Sequence, residues 1–254
     1  MLTSYTSFGK NHLHFEEIDS TNTFAQTLLS KSSPMDGTVI SAAFQHHGKG
    51  QFGRKWLSNP GENLSFSIIL YPEFLAVHKQ FYLSMVVAVS ICEAVDQLTG
   101  LNTSIKWPND IYYQNQKLGG ILIVNQMMGM KWTGSVIGIG LNVNQVAFDP
   151  ELPNPCSLRI ATQRLFSLDE VLKALLMQLE HNYNQWLRSA AWDDIHQKYH
   201  QKLLSWQQEV EYQTEDNEEM CSGRLLGVDD TCRILLEKNG NTTRFANGEI
   251  RLRY

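Results

Sequence analysis

The sequence predicts an α+β fold, in which a mixed β-sheet with packed helices precedes a small β-barrel. Apolar strand-like runs, such as residues 38–44, alternate with helix-spaced segments through residue 205. Residues 206–254 contain only short alternating runs joined by turn signals, among them Asn239-Gly240. We therefore predict two domains, residues 1–205 and residues 206–254.

The composition excludes several classes of function. The 254 residues carry a formal net charge of −5, which argues against a bulk nucleic-acid binder. Residues 1–17 lack the apolar segment of a signal peptide, and residues 83–95 are too short and too polar to span a bilayer. The four cysteines lack metal-ligand spacing, so we expect reduced thiols in a cytoplasmic protein with no membrane partner.

Periodicity and capping residues predict four helices. Ser20 is a candidate N-cap of the first helix, and its hydroxyl is also suited to grip a polar ligand. Gly100 is a candidate C-terminal stop of the second helix, which is apolar on much of its surface. The predicted helices are residues 23–30, residues 78–98, a segment that begins at Ser167, and residues 192–202.

A glycine-rich, cationic loop at residues 45–56 follows the strand at residues 38–44. Glycine allows backbone N–H groups to approach an anion closely, and Lys49, Arg54 and Lys55 add positive charge. This combination predicts a lid or cradle for a phosphate-bearing ligand. A loop without fixed structure is the alternative.

The same loop contains a G-x-G-x-x-G pattern at residues 48–53. A dinucleotide site also needs a helix that begins at these glycines, because its N-terminus holds the pyrophosphate. Pro60-Gly61 and a strand at residues 63–71 follow instead, which excludes this interpretation. No Walker A sequence occurs in the chain.

Polar residues also gather where two later strands break. Pro108 interrupts the strand ladder, so Lys106, Asn109 and Asp110 are expected at the junction of two strands. A strand at residues 117–124 then begins with a lysine that projects at the same surface.

Glycines interrupt two apolar strands, at Gly119-Gly120 and within residues 138–144. Such glycines mark a place where a ligand or another backbone approaches closely. Bulges or sheet packing are the alternative explanation for each glycine taken alone.

Cations on four segments are expected to converge on one anionic ligand: Lys49, Arg54, Lys106 and Lys117. Because the protein as a whole is acidic, this concentration of cations indicates anion binding. We predict a nucleoside triphosphate, with Asp110 as the candidate Mg²⁺ ligand. The side chains suited to a small, uncharged, hydrogen-bonding head group are Ser20, Thr21, Asn22 and Gln45.

Taken together, five segments resemble the biotin protein ligase family in order and spacing: residues 19–22, 45–56, 106–110, 117–122 and 138–143. The resemblance extends from about residue 12 to the C-terminus and includes residues 248–250. It implies a class II synthetase-like catalytic domain of the biotin/lipoate ligase type, followed by an SH3-like β-barrel.

The resemblance also implies a two-step reaction with ATP and biotin as substrates and Mg²⁺ as cofactor. Biotin attacks the α-phosphate of ATP to give biotinyl-5′-AMP and pyrophosphate. A lysine of a biotin carboxyl-carrier domain, as in acetyl-CoA carboxylase, then takes the biotinyl group as an amide.

Matching the family motif residue by residue implies three sets of site residues. The catalytic set is Lys117, Arg54 and Lys106. The biotin-binding set is Ser20, Thr21, Asn22, Gln45, Gly48, Lys49, Gly50, Gln51, Lys117, Gly119 and Gly120. The ATP-binding set is Lys49, Gln51, Arg54, Trp56, Lys106, Asn109, Asp110 and Asn142.

The chain departs from the family pattern in its loop, where Gly-Arg-Gly-Arg is replaced by Gly-Lys-Gly-Gln at residues 48–51. Lys49 keeps the charge without the planar fork of arginine, and Gln51 loses the charge. We hypothesise that the adenylate is held more loosely or by another cation. Because the ligand-binding segment already begins near Ser20, we expect no helix-turn-helix domain and no specific DNA binding.

Two alternatives belong to other functional classes. A lipoate or octanoate ligase shares the fold, but its apolar substrate does not need amides such as that of Gln45. A non-catalytic biotin sensor would not need the phosphate-facing cations. The sequence leaves open a homodimer formed through an exposed sheet edge.

Overall fold

A computed structural model describes residues 7–129, 131–215 and 217–253. Its strands form two sheets, one of seven strands in the order β1-β2-β3-β7-β6-β5-β4 and one of five in the order β11-β10-β9-β8-β12. Strands β1 and β2 are parallel, and the other neighbours in the large sheet are antiparallel. The mixed sheet confirms the predicted α+β class.

The strands of the large sheet are β1 His12–Ile18, β2 Thr38–Gln45, β3 Leu64–Leu70, β4 Thr103–Lys106, β5 Asp110–Tyr113, β6 Gln116–Met128 and β7 Lys131–Leu141. Those of the small sheet are β8 Glu209–Thr214, β9 Asn217–Val228, β10 Ile234–Lys238, β11 Asn241–Phe245 and β12 Ile250–Arg253. The helices are α1 Thr21–Lys31, α2 Gln80–Thr99, α3 Leu158–Thr162, α4 Leu168–Asn182 and α5 Trp192–Lys202.

Helices cover both faces of the large sheet. On one face, Ala25 and Leu29 of α1 pack against Ile40, Ile69 and Val136. On the other face, α2, α4 and α5 enclose the main core. Every residue of β3 is buried, as expected for a central strand that lies between two apolar layers.

Helix α2 is the core helix of this second layer. Val77–Thr99 is the helical segment of the described residues that is long and apolar enough to cross a membrane, yet 67% of its apolar window is buried inside the protein. This burial explains the broad apolar surface seen in the sequence. The helix ends at Gly100, whose φ of 78° lies in the left-handed region, as predicted.

The C-terminal sheet is antiparallel, as expected for the predicted SH3-like barrel. It packs on the catalytic domain through direct hydrogen bonds. The Trp107 indole donates to the carbonyl of Cys232 at 2.8 Å, and the backbone N–H of Val228 donates to Nε2 of His200 at 2.9 Å. The division at residues 205 and 206 stays a prediction.

The sequence missed two short elements, β12 and α3. Each has five residues or fewer, which is too short for a hydrophobic period to stand out. Strand β6 also continues to Met128, beyond the predicted end at residue 124. The predicted bounds of α5 agree with the structure.

We expect Gly100→Ala to lower the free energy of unfolding by about 1 kcal/mol, because a Cβ disfavours the left-handed conformation. No atom lies within 4 Å of that Cβ position, so the cost comes from the backbone alone. Gly100→Asn is the matched variant, and its free energy of unfolding should fall by less than that of Gly100→Ala, because asparagine tolerates this conformation. Urea unfolding measures both, and an alanine variant as stable as wild type would contradict the argument.

Candidate active site

One cavity of about 620 Å³ lies where the face of the large sheet, the glycine-rich loop and the C-terminal barrel meet. It brings together most of the residues predicted from the sequence. Those that line it are Ser20, Thr21, Asn22, Gln45, Lys49, Gly50, Gln51, Arg54, Trp56, Lys106, Asn109, Asp110, Lys117, Gly120 and Asn142.

The glycine-rich loop is a closed hairpin. Lys49 and Lys55 form an antiparallel bridge, and the N–H of Gly50 donates to the carbonyl of Arg54 at 2.8 Å. At the base, the N–H of Trp56 donates to the carbonyl of Gly48 at 2.9 Å. A Cβ on Gly48 would lie 2.4 Å from the carbonyl oxygen of Trp56. Gly48 is therefore needed for loop closure, and it does not line the cavity.

The start of α1 forms the polar end of the cavity. Ser20 caps the helix by accepting from the N–H of Thr23 at 3.4 Å, as predicted. Oε1 of Gln45 accepts from the N–H of Thr21 at 2.8 Å and from its hydroxyl at 3.1 Å. These bonds tie the end of β2 to the helix start, so a row of hydroxyl and amide groups is fixed in place.

Asn22 lies on the sheet face directly above Gly138. Its Nδ2 donates to the carbonyl of Leu122 at 3.3 Å, and its Oδ1 accepts from Nε2 of Gln26 at 2.5 Å. A Cβ on Gly138 would lie 2.7 Å from Nδ2 of Asn22. This glycine therefore serves the packing of helix α1 on the sheet.

An ion pair lies at the centre of the cavity. Nζ of Lys117 is 2.7 Å from Oδ1 of Asp110, with side chains 32% and 22% exposed. A Cβ on Gly120 would lie 3.3 Å from the same oxygen, so this glycine makes room for the pair. Asp110 is therefore placed to orient Lys117, a role additional to that of the Mg²⁺ ligand predicted from the sequence.

Lys106 adds a second ammonium group beside this pair. Its Nζ is 3.5 Å from the hydroxyl of Tyr112 and lies over the ring of that residue. Burial lowers the pKa of Lys106; Asp110 opposes this effect, whereas Lys117 and two arginines reinforce it. The arginines are Arg54 and Arg253. Three of the four cations predicted to converge, Lys106, Lys117 and Arg54, therefore lie close enough to interact, which favours binding of an anion.

Trp56 lies flat on the sheet where Gly140 leaves space. A Cβ on Gly140 would lie 2.3 Å from Cε2 of the indole. Nε1 of Trp56 is buried and has no hydrogen-bond partner among the residues that the structure describes. An unpaired buried donor in a ligand cavity is a candidate ligand contact.

Three predicted residues have structural roles that the sequence did not show. A Cβ on Gly119 would lie 2.7 Å from the carbonyl oxygen of Gly140, so Gly119 serves sheet pairing and does not line the cavity. Nδ2 of Asn109 donates to the carbonyl of Ile121 at 2.6 Å. Nδ2 of Asn142 donates to the carbonyl of Cys156 at 2.9 Å.

The C-terminal barrel contributes lining residues that the sequence analysis did not assign to the site: Glu215, Asn247, Gly248, Ile250, Arg251 and Leu252. Only the short segment at residues 248–250 had attracted notice, as part of the family resemblance. Arg251 is a cation that the barrel adds to the cavity lining, and the expectation that another cation compensates for Gln51 stays a hypothesis.

The two adjacent glycines of β6 give a matched stability test. We expect Gly119→Ala to lower the free energy of unfolding by about 1–3 kcal/mol, because its Cβ meets backbone that cannot move independently. Gly120→Ala should cost less, because its Cβ meets the mobile ends of Asp110 and Lys117. Urea unfolding of both variants measures the difference, and equal losses would contradict this assignment.

The lowered pKa of Lys106 predicts that this residue lowers the free energy of unfolding by an amount that depends on pH. Because the folded state disfavours the charged form, Lys106→Met should raise the free energy of unfolding of the ligand-free protein at pH 7. In wild type, stability should rise with pH between the lowered pKa and 10.5, where the unfolded chain binds more protons. The advantage of the variant should therefore shrink over that range. Denaturation curves at several pH values test this, with Lys131→Met as the exposed control.

Residues 14–142 match the model of the Biotin/lipoate A/B protein ligase family. The chain is 28% identical over 247 residues to the bifunctional ligase/repressor BirA of Bacillus subtilis, with 96% of this chain and 74% of that protein covered. It is 25% identical over 236 residues to the biotin--[acetyl-CoA-carboxylase] ligase of Mycobacterium tuberculosis, with 91% and 85% covered.

Among solved structures, the biotin protein ligase from Aquifex aeolicus in complex with biotin and ATP superposes with a TM-score of 0.79 at 29% identity. The match covers 96% of this chain and 99% of that one. These similarities confirm the resemblance seen in the sequence. The chain belongs to the biotin/lipoate A/B protein ligase family, and its fold is that of a biotin protein ligase.

Proposed function

We propose that this protein is an ATP-dependent biotin protein ligase. It activates biotin as biotinyl-5′-AMP and transfers the biotinyl group to a lysine of a biotin carboxyl-carrier protein. The observation that carries the proposal is that the Lys117–Asp110 pair lines the same cavity as the hydroxyl and amide groups at the start of α1 and the other cations.

In the first step, a carboxylate oxygen of biotin attacks the α-phosphorus of ATP. The new P–O bond forms as the bond to the β-phosphate bridging oxygen breaks, and pyrophosphate leaves with that electron pair. Both reactants are anions, so their approach requires fixed positive charge. Lys117 is assigned to the carboxylate and the bridging oxygen, and Lys106 and Arg54 to the phosphates.

In the second step, the neutral amine of the acceptor lysine attacks the carbonyl carbon of the adenylate. The C–N bond forms, the mixed anhydride C–O bond breaks, AMP leaves, and the amine loses its proton. The same cations stabilise the charge that develops on the leaving phosphate. The loop hairpin excludes water, which would otherwise hydrolyse the anhydride.

The polar end of the cavity suits the ureido ring of biotin. Ser20, Thr21 and Gln45 provide hydroxyl and amide groups that a bridge between β2 and α1 holds in position. Biotin also needs a surface on which its ring can lie, and Gly120 and Gly138 are positions of the cavity wall that carry no side chain. This chemistry favours biotin over lipoate, whose ring and chain lack comparable hydrogen-bonding groups.

The nucleotide is assigned to the opposite end of the cavity. Trp56 is proposed to help enclose adenine, and Asn142 to face the nucleotide from the sheet. The described residues contain no group of three His, Cys, Asp or Glu side chains that could hold a metal ion. Mg²⁺ is therefore proposed to arrive with the phosphates, with Asp110 as its protein ligand, and to offset their charge.

Three further proposals concern the acceptor protein, the cellular compartment and the oligomeric state. The acceptor is proposed to be the carrier domain of a biotin-dependent carboxylase. We assign the reaction to the cytoplasm, in keeping with the four free cysteines. Strand β1 ends the large sheet, so its edge is the surface on which the homodimer hypothesis rests.

Biotin-dependent exchange of pyrophosphate into ATP is the direct test of the first step. Wild type should show exchange with biotin and none with lipoate. Lys117→Ala should reduce the exchange rate by about 100-fold to 1000-fold, because it removes the charge at the reacting carboxylate. Lys131→Ala is the matched control, since Lys131 lies at the far end of the sheet near Glu73.

Three outcomes would change the assignment. Exchange with lipoate or octanoate but not with biotin would make the protein a lipoate-type ligase. Tight biotin binding without exchange would make it a sensor. Unchanged exchange in Lys117→Ala would move the key cation to another residue.

A further inference from the structure

The tip of the loop hairpin touches the C-terminal barrel across the mouth of the cavity. Nδ2 of Asn247 donates to Oε1 of Gln51 at 3.1 Å, and these residues lie 196 positions apart in the chain. Next to this bond, a Cβ on Gly248 would lie 4.0 Å from Cζ of Phe52. The bond therefore joins the hairpin to the barrel, and Phe52 and Gly248 are neighbours beside it.

The backbone of the hairpin tip has an unusual conformation. Phe52 has a φ of 53° and Gly53 a φ of 74°, so two successive residues are left-handed. A bulky residue rarely adopts this conformation, because it costs about 1–2 kcal/mol. Phe52 is nevertheless 70% exposed, so burial of its ring does not offset the cost. The bond between Asn247 and Gln51 therefore lies next to a backbone segment that is costly to hold in this conformation.

The barrel side of the contact is a turn with its own hydrogen bonds. The N–H of Ala246 donates to the Glu249 carboxylate at 2.6 Å, and the N–H of Glu249 donates back to the carbonyl of Ala246 at 3.2 Å. The N–H of Glu215, the residue that follows β8, donates to the carbonyl of Glu249 at 3.1 Å. Asn247 is thus presented from a turn whose shape does not depend on the loop.

We propose that Asn247 is a positioning residue that latches the loop hairpin closed over the ligand through Gln51. The inference rests on the proposed function and extends it, because it places control of adenylate retention partly in the barrel. At Gln51 the chain carries an amide where related loops carry an arginine, so this position contributes a contact to the barrel instead of a charge. A single exposed hydrogen bond is weak enough to open in each catalytic cycle.

Limited proteolysis of the ligand-free protein tests the latch independently of the ligase reaction. Trypsin can cut after three exposed loop residues, Lys49, Arg54 and Lys55, and its rate reports the population of the open loop. Asn247→Ala should raise the rate of loop cleavage by about twofold to tenfold. Asn241→Ala, an exposed asparagine of the same barrel outside the cavity, is the control and should leave the rate unchanged.

A double-mutant cycle separates the latch from a general loss of structure. Gln51→Ala should raise cleavage like Asn247→Ala, and the double variant should cleave no faster than either single variant, because both remove one bond. Asn247→Asp should restore slow cleavage, since the amide of Gln51 can reverse and donate to the carboxylate. The proposal would be overturned if the two substitutions had additive effects on the rate of loop cleavage, or if they left that rate unchanged. A higher cleavage rate in Asn241→Ala would overturn it as well.

Release of biotinyl-adenylate from preloaded enzyme then connects the latch to the reaction. Asn247→Ala should release it about twofold to tenfold faster than wild type, and Asn247→Asp should release it at a rate near that of wild type. Failure of wild type to form adenylate, with the cleavage pattern as expected, would reject the proposed function and keep the loop contact. If wild type forms the adenylate normally but Asn247→Ala changes neither the rate of loop cleavage nor the rate of adenylate release, only the latch is rejected.

Discussion

The site depends on holding several like charges close together before any anion is bound. Lys106, Lys117, Arg54 and Arg253 interact electrostatically, and within the cavity Asp110 is the carboxylate paired directly with one of them. Such a cluster costs free energy in the empty protein and favours the polyphosphate that relieves the repulsion. The large sheet holds Lys106 and Lys117 on β4 and β6, whereas Arg54 comes from the loop hairpin and Arg253 from the small sheet.

On the face of the sheet that carries the cavity, glycines leave space that side chains would otherwise fill. Gly138 leaves room for Asn22, and Gly140 leaves room for Trp56. Gly120 leaves room for the central ion pair. A binding surface formed in this way lets helix α1, the loop and a flat ligand all approach the same strands. It also explains why glycines recur at regular places in β6 and β7, which otherwise have the composition of core strands.

The cavity is shared between two parts of the chain that fold as separate sheets. The large sheet and the loop hairpin form most of the wall, and the turn before β12 closes the remaining side. Ligand binding and release therefore depend on how the barrel sits against the catalytic domain. Asp230 strengthens that packing from the opposite side of the barrel, where it accepts from the hydroxyl of Tyr82 at 3.2 Å.

The sequence by itself determined the structural features that depend on residues close together in the chain. The Ser20 cap, the Gly100 stop and the hairpin at Asn239-Gly240 follow from local backbone chemistry. The proximity of Asp110 and Lys117 follows as well, because a tight hairpin joins β5 and β6. Tertiary structure alone decided that Gly48 and Gly119 serve packing instead of lining the cavity, and that Asn247 meets Gln51. Contacts between segments 196 residues apart depend on how the parts of the chain that form the two sheets pack, and no local period or turn signal encodes that arrangement.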